Sequence, residues 1–387
     1  MNAPDVVDVV ALGESMVTFL PTRGGRLADV PSFDRAIGGA ESNVACGLAA
    51  AGHAVRWVSR VGSDGFGDHL VETVGGYGVD VSAVRRDSWR PTGVYFRTAG
   101  DRATDAHEVA YYRAGSAASA MSVENVDLAS VRAARVLHLS GITAALSEGC
   151  LTLLRALMTP GEDRPLMSFD VNHRAGLWRD AEGPRVLLEL ARGADIVFVG
   201  EDEAEEAWGI SGGPSAIRAA LPEPGVLVVK QGAVGATAFV SAAGRWGLVA
   251  PRPTQSAGGR VAPGGSGPAE SSSPHVRASG THPRPAPEPG TFVPALHVDV
   301  VATTGAGDAF AAGFLSATLR GLPLKTRLRH GHLHAAAALT TPGDLATPPT
   351  RDTTDRLAAV ADDAWGTLRL GPGWTQAGTA PEEVRTP

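Results

Sequence analysis

Apolar residues along this chain come in short unbroken runs rather than in strict alternation: Val6–Leu12, Val55–Val61, Arg135–Leu139, Leu166–Val171, Ile196–Val199 and Val226–Lys230. A strand that is apolar at nearly every position is covered on both faces, so these runs predict a mostly parallel sheet sandwiched by helices. Helical spacing fills several of the intervals, at Glu41–Ala51, Phe66–Val74, Glu148–Met158 and Pro184–Arg192. The alternation predicts a doubly wound α/β fold, in which a ligand sits at the carboxyl ends of the strands.

Two segments break the rhythm. Thr92–Thr98 and His107–Arg113 flank the polar turn Ala99–Ala103 and read as an antiparallel pair. Strand periodicity puts Tyr95 with Arg97 on one face and Tyr111 with Arg113 on one face. Such a pair is either the wall of a polar ligand site or an exposed hairpin with solvated arginines.

Composition sharpens the picture at three points. The chain has 387 residues, with 34 basic against 41 acidic side chains and a formal charge of −7, a balance that disfavours nucleic-acid and anionic-membrane partners. Its two cysteines, Cys46 and Cys150, lie among Ala and Leu and form no paired spacing, which predicts buried thiols in a reducing compartment. No basic leader precedes an apolar stretch near the first residue, and no run approaches a membrane span, so a cytoplasmic protein is expected. Nine of the 27 prolines and seven glycines fall between Pro251 and Gly290, where little can be buried. A disordered insertion at 251–292 and a flexible tail at 371–387 are therefore expected.

The sharpest chemical signal is Thr303-Thr-Gly-Ala-Gly-Asp-Ala-Phe-Ala-Ala-Gly-Phe-Leu315. Small residues at Gly305, Ala306 and Gly307 let backbone N–H groups approach an anion at the start of a helix, where the macrodipole favours phosphate. Read alone, Asp308 is either a capping carboxylate or a general base that takes the proton of an attacking hydroxyl. No Gly-Lys-Ser/Thr follows, so the loop is not a Walker A sequence. A second glycine pair opens an Ala-rich helix at Gly38-Gly-Ala-Glu-Ser-Asn43, which suits either close approach to a polyol or an ordinary helix entrance.

Gly38-Gly-Ala-Glu-Ser-Asn43, Val61-Gly-Ser-Asp-Gly-Phe-Gly67 and Thr304-Gly-Ala-Gly-Asp308 together resemble the ribokinase-like (PfkB) carbohydrate kinases, from about Val6 to Asp344. Within that family the segments Ala110–Ser119, His138–Leu146 and Ser168–Trp178 are similar to 2-keto-3-deoxygluconate kinases. The resemblance implies one kinase domain over 6–370 with a small β lid from about 14–37 and 92–113. It also implies ATP and Mg²⁺ as cofactors and a homodimer formed through the lid.

For the sugar, the resemblance implies contacts from Gly38, Gly39, Ala40, Glu41, Ser42, Asn43, Tyr95, Tyr111, Tyr112, Arg113, Ile142, Arg174 and Asp344. It makes Asp308 the base and the 305–307 amides the anion hole. Two arginines suit a sugar acid, because a guanidinium grips a carboxylate in a bidentate fork. The nucleotide falls to Asn172, His173, Arg174, the run Lys230, Gln231, Gly232, Ala233, Val234 and Gly235, and the 305–308 loop. Glu203 is implied as a Mg²⁺ ligand through water.

Two departures stand out. Ala302 replaces an Asp that the family links to a monovalent-cation site, and Gly200 replaces the Asn of an Asn-x-x-Glu motif. The expected activity is phosphorylation of the terminal hydroxyl of 2-keto-3-deoxygluconate. A fructokinase- or ribokinase-like enzyme acting on a neutral sugar, and a binding protein that has lost catalysis, are the alternatives. His330 and His334, one helical turn apart, lack an evident third metal ligand and read as structural. Trp178 and Trp208 read as packing residues.

Overall fold

The computed structural model describes residues 5–98, 108–161, 164–178, 182–241 and 289–376. Its eight-stranded sheet runs in the order Thr291–Pro294, Gly235–Val240, Val226–Lys230, Ile196–Gly200, Leu166–Asp170, Ala134–Ser140, Val7–Leu12, Val55–Val58. The six strands from Val226–Lys230 onward pair in parallel, as their unbroken apolar runs require, and nearly every residue in them is buried. The ribokinase-like α/β fold follows from that sheet and the helices on both its faces. On one face it packs Ala40–Ala50, Ala306–Leu319 and Leu324–Leu339; on the other it packs Glu148–Met158 and Gly183–Gly193. Phe198 meets Phe314 edge to face at 5.5 Å, joining the central strand to the helix that begins at the anion loop.

The two strands at the Thr291–Pro294 edge pair antiparallel and were not expected. They close around the predicted insertion, so its end needs correcting: Thr291 and Phe292 are strand residues, with Phe292 opposite Thr237. Residues 251–288 of the insertion, 377–387 of the tail and the polar turn from Ala99 to Ala103 lie outside the described residues. The predicted strand Val55–Val61 is also divided: it stops at Val58, and Arg60–Gly62 pairs separately with Arg85–Asp87.

A second sheet of four strands, ordered Phe33–Gly38, Met16–Pro21, Val94–Arg97, Val109–Tyr112, stands over the carboxyl ends of the parallel strands. Its register sets Tyr95 opposite Tyr111 and Val94 opposite Tyr112. With a side-chain period of two, Met16, Tyr95, Arg97, Val109 and Tyr111 face the cavity below. The other face carries Phe19, Phe33, Phe96 and Tyr112, with Phe19 stacked on Phe96 at 4.7 Å. Among the described residues no helix is long and apolar enough to cross a membrane.

Candidate active site

Two cavities meet at the carboxyl end of the sheet. The first, about 490 Å³, lies beneath the four-stranded lid; the second, about 780 Å³, lies between Gly200–Glu203, Lys230–Ala236 and the helix Leu324–Leu339. The loop Thr303–Gly307 is the wall between them. Gly305 takes a left-handed conformation (φ 79°), and any side chain on it would collide with the main-chain oxygen of Asp344, so this position requires glycine. The loop then enters the 14-residue helix Ala306–Leu319, whose first turn leaves backbone amides free for an anion.

Asp308 projects from that first turn into the lid cavity. Asn43 Nδ2 donates to its Oδ2 at 2.8 Å. Burial pushes the Asp308 carboxyl up to about 7, with Asp170 adding to the rise and the Asn43 hydrogen bond, Lys230 and Arg174 opposing it. A carboxylate poised near neutrality, lining the lid cavity one residue beyond the loop that walls off the second cavity, has the properties of a general base. Lys230 lines both cavities and places Nζ at 3.1 and 3.2 Å from the two Asp170 oxygens. Burial works against its ammonium, but Asp170 and Glu203 outweigh that and hold its pKa above the usual lysine value.

The lid cavity is walled by opposed charges. Arg97 Nη2 pairs with Asp344 Oδ1 at 2.9 Å, Tyr95 donates its hydroxyl proton to the other Asp344 oxygen, and Arg113 pairs with the buried Glu14. Gly38 is pressed against Tyr95 and Asp344, leaving no room for a side chain there. Arg174 is the exposed guanidinium of the cavity; the bond it makes is a long one, 3.4 Å, from Nη1 to the His173 oxygen.

The second cavity is mostly apolar, lined by Leu296, Val298, Phe310, Ala335, Ala336 and Leu339, with polar groups at Glu203, Lys230, Gln231 and Thr303. An apolar slot beside an anion-binding loop fits a nucleotide, whose base is flat and whose phosphates are charged. Glu203 Oε2 accepts a hydrogen bond from the Gly200 amide at 2.6 Å, and burial raises its pKa above the usual carboxylate value.

Most of the residues named from sequence converge. Gly38, Gly39, Ala40, Asn43, Tyr95, Tyr111, Arg113, Ile142, Asn172, Arg174, Gly305, Asp308 and Asp344 line the lid cavity, and Gln231, Gly232, Ala233, Gly235 and Ala306 line the other. Five do not. Glu41 is fully buried, its Oε1 accepting from the Ser140 amide, the Ser140 hydroxyl and Thr143. Ser42 donates to Ser15 behind the helix, and His173 is buried with Nδ1 3.5 Å from Glu206. Tyr112 alternates onto the outer face of the lid, and Val234 is turned to solvent at 64% exposure. These corrections share one cause: adjacent motif residues point in different directions once helix and strand geometry is imposed.

Sequence reasoning passed over Glu14 and Asp170 and named Arg97 only within a strand pair that was either a ligand wall or an exposed hairpin; all three line the cavity. Asp170 closes a predicted strand and Arg97 shares a face with Tyr95, so the signals for these two were present. Glu14 became legible only with its partner Arg113, distant in sequence. Of the histidines, His330 Nε2 sits 3.3 Å from Asp355 and His332 Nε2 3.1 Å from the Val293 oxygen; no cluster of three or more metal-ligating side chains occurs among the described residues.

A lid over an anion loop that carries a near-neutral carboxylate is the arrangement of a phosphotransferase. The family description pfkB family carbohydrate kinase matches residues 7–257 and 288–351, and this chain belongs to that family. It is 32% identical over 353 residues to the 2-dehydro-3-deoxygluconokinase of Bacillus subtilis, covering 89% of this chain and 94% of that one. It is also 36% identical over 205 residues to Fructokinase-1 of Zea mays, covering 52% and 62%. An uncharacterized sugar kinase from Pyrococcus horikoshii, solved in complex with ATP, superposes with a TM-score of 0.68 at 23% identity, covering 89% and 96%. The chain is a phosphotransferase acting on a sugar hydroxyl.

Proposed function

We propose that this kinase transfers the γ-phosphoryl group of ATP to the terminal hydroxyl of 2-keto-3-deoxygluconate. The observation that carries the reading is Asp308, which lines the polar, Arg-lined cavity from the first turn of a helix whose opening loop, Thr303–Gly307, separates that cavity from the apolar one. Asp308 takes the proton of the attacking hydroxyl, and the amides of Gly305, Ala306 and Gly307 stabilise the charge that builds on the phosphoryl oxygens. Lys230, held by Asp170 beside Gly307, meets the nucleotide phosphates from the other side.

The carboxylates near the loop fit Mg²⁺ of the usual kind, held by phosphates plus one or two protein oxygens. Glu203 would hold it through water, and the ion supplies charge neutralisation on the phosphates. Ala302 offers no carboxylate to a monovalent cation, so the rate is expected to be indifferent to exchange of K⁺ for choline.

The sugar acid's carboxylate falls to Arg174. Arg113 is already neutralised by Glu14 and Arg97 by Asp344. That neutralisation is also the observation favouring a second reading, a kinase of a neutral hexose, to which the fructokinase similarity adds. An ADP-release screen over sugar acids, hexoses, pentoses and nucleosides separates the two. Turnover of 2-keto-3-deoxygluconate with kcat/KM at least tenfold above fructose supports the first, and the reverse order overturns it. The half-buried aromatic face of the lid, Phe19, Phe33 and Phe96 with exposed Tyr112, is the surface we assign to a second copy of this chain, in the cytoplasm.

A further inference from the structure

Glu41 lies in the glycine motif that the sequence marks for the sugar, yet its carboxylate never reaches the cavity. It sits on the first turn of the helix Ala40–Ala50, two residues before Asn43, whose amide holds Asp308. Its Oε1 accepts three hydrogen bonds: from the Ser140 amide at 3.1 Å, from Ser140 Oγ at 2.8 Å and from Thr143 Oγ1 at 2.7 Å. Ser140 and Thr143 flank Ile142, which lines the lid cavity. The carboxylate also rests on Gly13, where even a methyl group would overlap it, and Gly13 is followed directly by the cavity residue Glu14.

Three segments, the turn after Leu12, the helix that begins at Ala40 and the chain from Ser140 onward, thus converge on one fully buried carboxyl group. Each carries a cavity residue: Glu14, Asn43 and Ile142 respectively. All three donors fall on Oε1, while Oε2 is buried without a hydrogen-bond partner among the described residues and burial raises the carboxyl's pKa, so the group is costly to bury even with these bonds made. An aliphatic residue of similar volume would fill the space without that cost, and a packing role alone gives no reason to prefer a hydrogen-bonding carboxyl group.

We propose that Glu41 is a positioning residue for the sugar half of the site, fixing Asn43, and through it Asp308, relative to Ile142 and Glu14. The inference rests on the reading that the lid cavity takes the sugar. Losing the tie displaces those groups by a fraction of an ångström to an ångström, a scale at which catalysis drops by up to about 10²-fold. No residue lining the nucleotide cavity bonds to Glu41 directly, so that cavity is expected to change far less than the sugar half.

The test compares the wild-type full-length protein with Glu41→Ala, Glu41→Gln and Gly13→Ala. Glu41→Ala should lower kcat/KM for the sugar by roughly 10-fold to 10²-fold while leaving KM for ATP within about twofold. Glu41→Gln, whose amide oxygen accepts the same three donors, should restore most of it. Gly13→Ala, which pushes on the carboxylate without removing it, should follow Glu41→Ala. Amide hydrogen exchange read by mass spectrometry supplies a second readout: peptides spanning Ser140 to Thr143 should exchange faster in Glu41→Ala and at the wild-type rate in Glu41→Gln.

Equal losses for sugar and ATP, or exchange unchanged across the set, overturn the proposal. Should the wild-type protein turn over no sugar in the screen, the functional reading falls. The exchange rates still decide whether Glu41 holds these segments together. If Glu41→Ala does not fold, Gly13→Ala and Glu41→Gln carry the same comparison.

Discussion

Asp308 offers the most direct check on the chemistry, because its carboxyl is held at about 7 rather than near the ordinary aspartate value. A base acts only when ionised, so activity must fall as pH falls. With a single titration at about 7, roughly one molecule in eleven is ionised at pH 6 and ten in eleven at pH 8. Hence kcat/KM for the sugar should rise about tenfold across that interval. The measurement is an ADP-release rate at limiting sugar and saturating Mg²⁺ and ATP, from pH 5.5 to 9.

Neighbouring residues give the sign of each shift. Asn43→Ala removes the hydrogen bond that favours the ionised form, so the acid limb moves to higher pH; Asp170→Asn removes a like charge, so it moves to lower pH. Asp308→Asn should abolish the limb and cut kcat by roughly 10² to 10⁴-fold with sugar affinity largely kept. A wild-type profile flat between pH 6 and 8, together with an Asp308→Asn rate within about threefold of wild type, would refute the assignment of the base.

Arg174→Ala should reduce kcat/KM for the sugar acid by roughly 10 to 100-fold and hardly change that for fructose, since a hydrogen bond to a charged group contributes about 1.5–3 kcal/mol. Arg113 is the poorer probe, because its removal strands Glu14 and destabilises the fold, a loss that urea denaturation would register. His53, His138, His330 and His332 are pushed down to about 4 and His334 to about 3, all chiefly by burial. At these five the unfolded chain binds more protons, an excess that the raised Asp308 offsets only in part, so the urea midpoint should fall as pH drops from about 6.5 towards 4. Tyr112→Glu on the outer face of the lid should convert the proposed dimer to monomer by light scattering; a wild-type protein that is already monomeric removes the lid interface.

What could be read from the chain alone was whatever depends on residues close in sequence. Continuous apolar runs determine that a strand is buried on both faces, and they located all six parallel strands to within a residue or two at each end, apart from the break after Val58. Thr304-Gly-Ala-Gly-Asp308 determines its own conformation, because a left-handed Gly305 followed by small residues leaves backbone amides exposed at a helix start. The antiparallel strands Gly235–Val240 and Thr291–Pro294 were illegible, since 50 residues separate the two and neither carries a distinctive pattern by itself.

Only the tertiary structure decided which charges are available to a ligand. Sequence placed Arg113 and Arg174 at the sugar on equal terms, yet the fold spends Arg113 on Glu14 and leaves Arg174 exposed. The same holds for Glu41, whose place in a sugar-binding motif says nothing of the two donor residues that reach it from the segment around Ile142. Local conformation is set by neighbours along the chain, through propensity and sterics. Pairing and desolvation depend on which distant side chains the fold brings within about 3 Å, and no local pattern contains that information.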